Sequence, residues 1–274
     1  METSSISRSP MAPLRVLVKH RSLIQELAKR DVLGRYRGAS FGLLWSLISP
    51  FLLLCVYTFA FGTVMKNRWP QAAEGHTSFS IILFTGLIVH GFFAECLNKS
   101  PFLISGNPNF VKRVIFPLEI LPAPMVLSAL FHVAMNTLVF IALRLVMDGA
   151  FTWQVVMLPL VMLPLIIFTL GVSWFLASMG VYLRDISQVT GILAMAMLFL
   201  SSAMMPVASV PASYRWVFEF NPLSFIIDQA RNVMLWGLNP DWLGLLSYAL
   251  ASLVFTYAAY TWFMLTRKGF ADVL

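Results

Sequence analysis

Apolar residues fall along the chain in six long blocks, at about 40–64, 79–98, 117–146, 153–181, 187–205 and 242–265, with polar residues gathered between them. A helix needs about 20 residues to cross a hydrocarbon core about 30 Å thick, so each block predicts a membrane-spanning helix. The blocks do not alternate in polarity, as membrane strands do. The expected fold class is therefore all-α, a polytopic membrane protein with six transmembrane helices.

Three segments outside the blocks carry a different pattern. In residues 14–37, Leu23, Ile24, Leu27 and Ala28 share one helical face, while Lys19, Gln25, Glu26, Lys29 and Arg30 mostly lie elsewhere. This predicts an amphipathic helix along the membrane surface, either an anchor on anionic lipid or a gate that receives an anionic lipid head. The segment ends in Arg35-Tyr36-Arg37-Gly38-Ala39-Ser40-Phe41-Gly42-Leu43-Leu44-Trp45. Each cation costs about 2.5–3.5 kcal/mol at the centre of an inserted helix, so Arg35 and Arg37 stay at the water boundary while Phe41 onward enters lipid.

The second segment, Asn98 to Arg113, mixes turn formers with Phe102, Leu103, Phe110 and Val111 and ends on Lys112-Arg113. Those apolar side chains exceed what a solvated loop needs and suit docking onto a cytoplasmic motor; a plain basic loop is the alternative. The third, about 206–240, has apolar residues at helical spacing interrupted by prolines, and predicts two short re-entrant helices between spans five and six. Backbone of that kind is tolerated at membrane depth only beside protein or a water-filled cavity, so the segment reads as the lip of a pathway. Asp228 and Arg231 stand one turn apart, paired with each other or free for function.

Composition agrees with a membrane protein: 59% of the 274 residues are apolar and 11% charged, with a mean hydropathy of +0.80. The net charge of +7 is mostly a topology signal. With both termini inside, fourteen of the nineteen Lys and Arg lie on the inner side, and Lys66, Arg68, Arg144, Arg215 and Arg231 lie outside. That asymmetry predicts both termini in the cytoplasm and weakens a nucleic-acid reading. No removable leader is expected ahead of residue 40.

Chemistry is sparse. Cys55 and Cys96 lie inside predicted spans, and His20, His76, His90 and His132 are scattered without ligand spacing, so no metal site is expected. Gly171-Val172-Ser173-Trp174 lacks the second glycine of a nucleophile elbow; its small residues, with Ala177, Ser178 and Gly180, suit close helix packing. No phosphate-cradling G-x-x-x-x-G-K-[ST] loop occurs in the chain. The spans are nearly free of charge and show no internal repeat, which disfavours a gradient-driven carrier. A conduit moved by a partner remains.

Taken in order, the basic amphipathic start, Arg35-Tyr36-Arg37 leading to Trp45 and Pro50, Phe116-Pro117-Leu118-Glu119-Ile120-Leu121-Pro122, Arg184-Asp185, and Asn221-Pro222-Leu223 with Arg231 resemble the permeases of polysaccharide-export ABC transporters. The likeness runs from about residue 14 to 268. Ser202-Ala203-Met204-Met205-Pro206 departs from the Ser-Pro-aromatic run common in that family, which leaves the shape of the outer gate open.

The resemblance implies a homodimer of six-helix subunits in the bacterial inner membrane, joined to two copies of a cytoplasmic ABC ATPase that binds the ATP and Mg. This chain itself would bind no cofactor. The cargo would be a glycan on a polyprenyl pyrophosphate lipid, O-antigen first, with capsular polysaccharide or teichoic acid as alternatives. Residues 1–39 would form the cytoplasmic region with the gate helix, 40–265 the transmembrane domain and 266–274 a cytoplasmic tail. The coupling loop would be about 99–116, with Phe102, Leu103, Phe110, Lys112 and Arg113 meeting the ATPase. The external gate helices would be about 207–235, carrying Tyr214, Trp216, Asn221, Pro222, Asp228 and Arg231. Arg35, Tyr36 and Arg37 are candidates for the pyrophosphate head, because guanidinium matches phosphate in bidentate geometry. Trp45, Tyr57, Phe59, Phe84 and Trp174 are candidates for a tunnel lining on which sugar faces slide. Two other readings compete: an ABC permease for a small molecule, and an intramembrane enzyme acting on lipid-linked sugars.

Overall fold

The computed structural model describes residues 11–60, 79–111, 116–147, 149 and 152–273, and among these every regular element is a helix. The chain starts with α1 (Ala12–Lys19) and α2 (Arg21–Arg35), broken at His20, whose backbone leaves the helical region (φ −105°, ψ 21°). The amphipathic segment is thus two helices rather than one. Ile24 of α2 is buried with Ile120 and Ala123, Leu23 and Leu27 pack against the same cluster and Ala28 is also buried, so its apolar face is spent on the protein's own bundle. Two glycines of left-handed backbone, Gly38 (φ 85°) and Gly42 (φ 49°), turn the chain from α2 into the first span. A side chain at either position would be strained.

The first span is α3 (Trp45–Tyr57), entered through a 3₁₀ turn at Gly42–Leu44. Then come α4 (Phe79–Lys99), the single-turn α5 (Phe102–Ser105) and α6 (Pro108–Val111), α7 (Pro122–Met147), α8 (Leu158–Tyr182), α9 (Ile186–Phe199), α10 (Arg215–Glu219), α11 (Pro222–Arg231), α12 (Trp242–Thr266) and α13 (Phe270–Val273). Five helices among the described residues are long and apolar enough to cross a membrane. The block at 187–205 was expected to supply a sixth. Its helix, α9, has 14 residues, about 21 Å at about 1.5 Å per residue and short of a full crossing. After Phe199 the chain turns, and the Ser201 hydroxyl donates back to the Leu198 carbonyl.

α4 is the most enclosed span. Ile81, Ile82, Phe84, Ile88, Val89, Phe92 and Phe93 are all buried in one core shared with α7, α8 and α11. By contrast α3 leaves Phe51, Leu52 and Val56 exposed, as is Phe59 just beyond its end. α8 packs at backbone distance on two sides: a Cβ on Gly171 would lie 2.8 Å from the Thr256 Cα of α12, and one on Gly180 would overlap the Pro101 carbonyl between α4 and α5. The Ser173 hydroxyl donates to Thr169 of its own helix and is fully buried, a packing role.

Ion pairs and hydrogen bonds sort the helix ends into two groups. One end of the bundle, the basic end, gathers α1, α2, the ends of α4, α8 and α12, and the start of α7. It is tied by Lys99–Asp31 at 3.3 Å, Arg267–Glu119 at 2.6 Å and the Tyr182 hydroxyl donating to Thr266 at 2.9 Å. Within residues 266–273, Phe270 is fully buried in one cluster with Phe263 and Trp174, so the segment is docked there. The far end holds the start of α4, the ends of α7 and α11, and residues 152–157. Here α11 re-enters the bundle, with Leu223, Ile226, Ile227 and Ala230 wholly enclosed. The Asn221 side chain caps it, accepting from the Leu223 N–H at 3.0 Å while its amide donates to Met197 and Leu200 of the shortened α9.

Candidate functional site

α3, α4 and α7 leave between them a cleft of about 500 Å³ that opens at the basic end. Its deep walls are apolar and aromatic: Pro50, Leu53, Phe84, Ile88, Phe92 and Val133. Phe84 and Glu95 both line it, and the eleven residues of helix between them rise about 16 Å, so the cleft runs well into hydrocarbon depth. Gly91 keeps it wide, since a Cβ added there would meet nothing within 4 Å. Arg35, Tyr36, Glu95 and His132 close its mouth.

The mouth is an ionic cluster built from three helices. Glu95 Oε1 accepts from Arg35 Nη1 at 2.9 Å and pairs with Lys99 Nζ at 3.0 Å, one turn along α4. Glu95 Oε2 lies 3.0 Å from His132 Nδ1 on α7, and because an ionised carboxylate only accepts, this assigns the proton to Nδ1. Arg35 Nη1 also stands 2.8 and 3.1 Å from the two ring nitrogens of His132. Near-equal distances to both place the cation over the imidazole face. The Tyr36 ring meets the same imidazole edge-on at 6.2 Å. Burial raises the Tyr36 phenol above its usual 10.0, with Arg35 pulling the other way, so the hydroxyl stands in the wall as a neutral group. The Arg35 side chain is 44% exposed and that of Glu95 15%: the carboxylate is set inward and the arginine reaches down to it.

Of the residues singled out in the sequence, the structure brings Arg35, Tyr36, Trp45 and Phe84 to this one cleft. Arg37 is not among them; it is exposed and lines a separate groove with Glu26, Lys29, Arg30 and Leu33. Phe59 is exposed just beyond the end of α3, and Tyr57 lies outside the cleft. Trp174 is 1% exposed, with its indole N–H donating to the Glu119 carbonyl at 2.8 Å, so it braces the core rather than facing an opening.

In the second segment Phe102 projects into solvent, whereas Leu103 and Phe110 pack inward, Phe110 stacked on Phe116 at 4.3 Å. Lys112 and Arg113 lie outside the described residues. The docking face expected there therefore keeps Phe102 as its exposed apolar member, because a helix of a single turn buries its other side chains against α8.

At the far end Tyr214 and Trp216 are exposed while Asn221 is buried and Pro222 half-buried. Arg231 is 2% exposed and donates to the Ser202 carbonyl at 2.6 Å, Ala203 at 2.9 Å and Asp228 Oδ1 at 3.4 Å. The pairing with Asp228 is present, and the shorter bonds go to the turn that ends α9. Arg144, 6% exposed, does the same for the close of the re-entrant segment, bonding the carbonyls of Met234 and Leu235.

Sequence reasoning passed over Glu95, Lys99 and His132 as site members. Two signals were there: Glu95 and Lys99 at i and i+4, and His132 with Asn136 at the same spacing inside an apolar span; Glu95, His132 and Asn136 line the cleft.

The family model described as ABC-2 type transporter matches residues 22–235. The chain is similar to the O-antigen export system permease protein RfbA of Myxococcus xanthus, 26% identical over 261 residues, 94% of this chain and 98% of that protein. It is similar also to RfbA of Klebsiella pneumoniae, 25% identical over 255 residues (92% and 95%). With the polysialic acid transport protein KpsM of Escherichia coli it is 25% identical over 232 residues (84% and 88%).

Proposed function

The chain belongs to the ABC-2 type transporter family, and on that premise we propose that it is the permease subunit of an exporter for lipid-linked polysaccharide, O-antigen in the first place. The observation that carries this is the cleft: a donor-bearing mouth of Arg35, Tyr36 and His132, with Lys99 behind it on Glu95, over an apolar trunk, the shape of a lipid with a phosphorylated head. A polyprenyl pyrophosphate carrying a glycan presents that combination of charge and chain. In this reading the basic end faces the cytoplasm of a bacterial cell, both termini lie there, and the inner membrane is the site of action.

The chain performs no hydrolysis of its own; two copies of a separate ABC ATPase, holding ATP and Mg, drive a homodimer of it. Phe102 and the Lys112-Arg113 loop form the contact for that motor. The head-group role rests on Arg35 and Tyr36, while Arg37, with Lys29 and Arg30, faces the anionic surface of the leaflet. Capsular polysaccharide is the second reading, supported by the similarity to KpsM.

The experiment is reconstitution with the co-encoded ATPase and assay of ATP-dependent movement of a lipid-linked glycan. Gly91→Phe is expected to fill the cleft and stop transport while insertion and ATPase association persist. Transport unchanged in that variant would remove the cleft from the pathway. ATP-independent chemical turnover of the lipid by the isolated chain would replace the transporter reading with an enzyme.

A further inference from the structure

The carboxylate at the mouth of the cleft is surrounded by more hydrogen-bond donors than one ion pair needs. Arg35 from α2, Lys99 from α4 and His132 from α7 all stand within 3.0 Å of Glu95, the number and spread of donors that a phosphate group collects. Arg35 reaches this carboxylate through Nη1 alone; its Nη2 and Nε have no partner among the described residues. A guanidinium prefers a fork of two parallel bonds, so half of its capacity is not taken by the described residues, on a side chain that lines the cleft and is 44% exposed. We propose that Glu95 is an internal stand-in for the anionic head group: its carboxylate occupies the site a diphosphate takes, and Arg35 must leave Glu95 to bind the ligand.

The arrangement makes that exchange easy. When Arg35 turns to a phosphate, Glu95 keeps Lys99 and His132, so no carboxylate is stranded in a half-buried position. Lys99 in turn keeps Asp31 at 3.3 Å. Glu95 and Lys99 each keep a second partner, unlike a structural ion pair, where losing one partner leaves the other unmatched. In the resting chain the two carboxylates Asp31 and Glu95 offset Arg35 and Lys99, and a free, positively charged mouth appears only once Arg35 disengages. Unoccupied, the cleft is thus closed to stray anions, and a ligand with enough charge opens it. An apparent affinity is lowered by the fraction of molecules in the Glu95-bound state, and removing the competitor restores it.

This proposal rests on the head-group reading above and makes a signed prediction. The transporter, permease with its ATPase in nanodiscs, is titrated with a sugar-free polyprenyl diphosphate as probe. Glu95→Gln is expected to bind it about tenfold more tightly, about 1.4 kcal/mol. Glu95→Asp, which keeps the charge but draws it back from Arg35, is expected to fall between the two and carries the test if the glutamine variant does not fold. If Glu95 merely positions Arg35, both variants bind more weakly; weaker or unchanged binding overturns the stand-in. An Arg35→Ala arm separates the two ideas: lost binding there with no gain in Glu95→Gln keeps the head-group reading and ends this proposal. Wild-type binding in Arg35→Ala ends both. Inorganic pyrophosphate is run as competitor. Weak competition identifies a lipid head group, and equal competition would mean a free diphosphate site and contradict the lipid reading.

Discussion

Arginines at the two ends of this bundle meet opposite environments. At the basic end Arg35 is half in water and bonds to side chains that have other partners. At the far end Arg144 and Arg231 are enclosed and bond to main-chain carbonyls exposed where α9 stops and where the re-entrant segment closes. A carbonyl at a broken helix end inside the bilayer has no water to turn to, so a buried guanidinium that satisfies two at once is cement. A carboxylate shared among Arg35, Lys99 and the His132 ring N–H at the water boundary is exchangeable. The lesson is that charge near a membrane span signals function only where its partners can be replaced.

That contrast can be broken by substitution, beginning where the effect on folding should be greatest. Arg231→Ala strands the carbonyls of Ser202 and Ala203 in the core and is expected to destabilise by about 3–5 kcal/mol, read as a large fall in the thermal midpoint in detergent. A midpoint close to wild type would show that the far end needs no cement. Arg144→Ala should follow with about 2–3 kcal/mol, since the Thr152 hydroxyl also reaches the Met234 carbonyl, at 3.2 Å, and covers part of the loss. Arg35→Ala is expected to shift stability by no more than about 1 kcal/mol, because its pair is substantially exposed. Yet its ATP-dependent glycan transport should drop at least about tenfold, as one lost charge-assisted hydrogen bond implies. If the fold suffers and transport per folded molecule does not, Arg35 belongs with the far-end pair. Arg37→Ala is the mildest, with stability unchanged and transport within about twofold, as for a single cation worth about 1 kcal/mol at a lipid surface.

Much of the architecture was legible in the chain itself. Block lengths predicted the spans, and the periodicity of Leu23, Ile24, Leu27 and Ala28 placed an amphipathic helix ahead of them; its face turned out to lie against α7 residues, which a pattern cannot distinguish from lipid. The proline-interrupted stretch at 206–240 pointed correctly to short helices returning into the bundle. The fifth block misled, because hydropathy scores residues 200–205 as membrane-compatible without registering that the helix ends at Phe199. The site was half legible. Arg35, Tyr36, Trp45 and Phe84 were singled out and meet in one cleft, but so were Phe59 and Trp174, which do not join them. An all-round apolar helix carries no mark of which aromatic faces lipid, core or opening.

What the amino-acid sequence determined by itself is the solvent of each segment. Apolar length and the distribution of Lys and Arg defined a polytopic membrane chain, since these depend on local transfer free energies that each segment carries by itself. Only the tertiary structure decided which charges are free to act. Glu95, His132 and Arg35 lie far apart along the chain, and Arg231 meets Ser202 across another loop, so their partners follow from how whole helices pack. Helix packing in a bilayer turns on close steric fit between small residues such as Gly171 and Gly180 and their neighbours, a property of surfaces in contact that no single segment encodes.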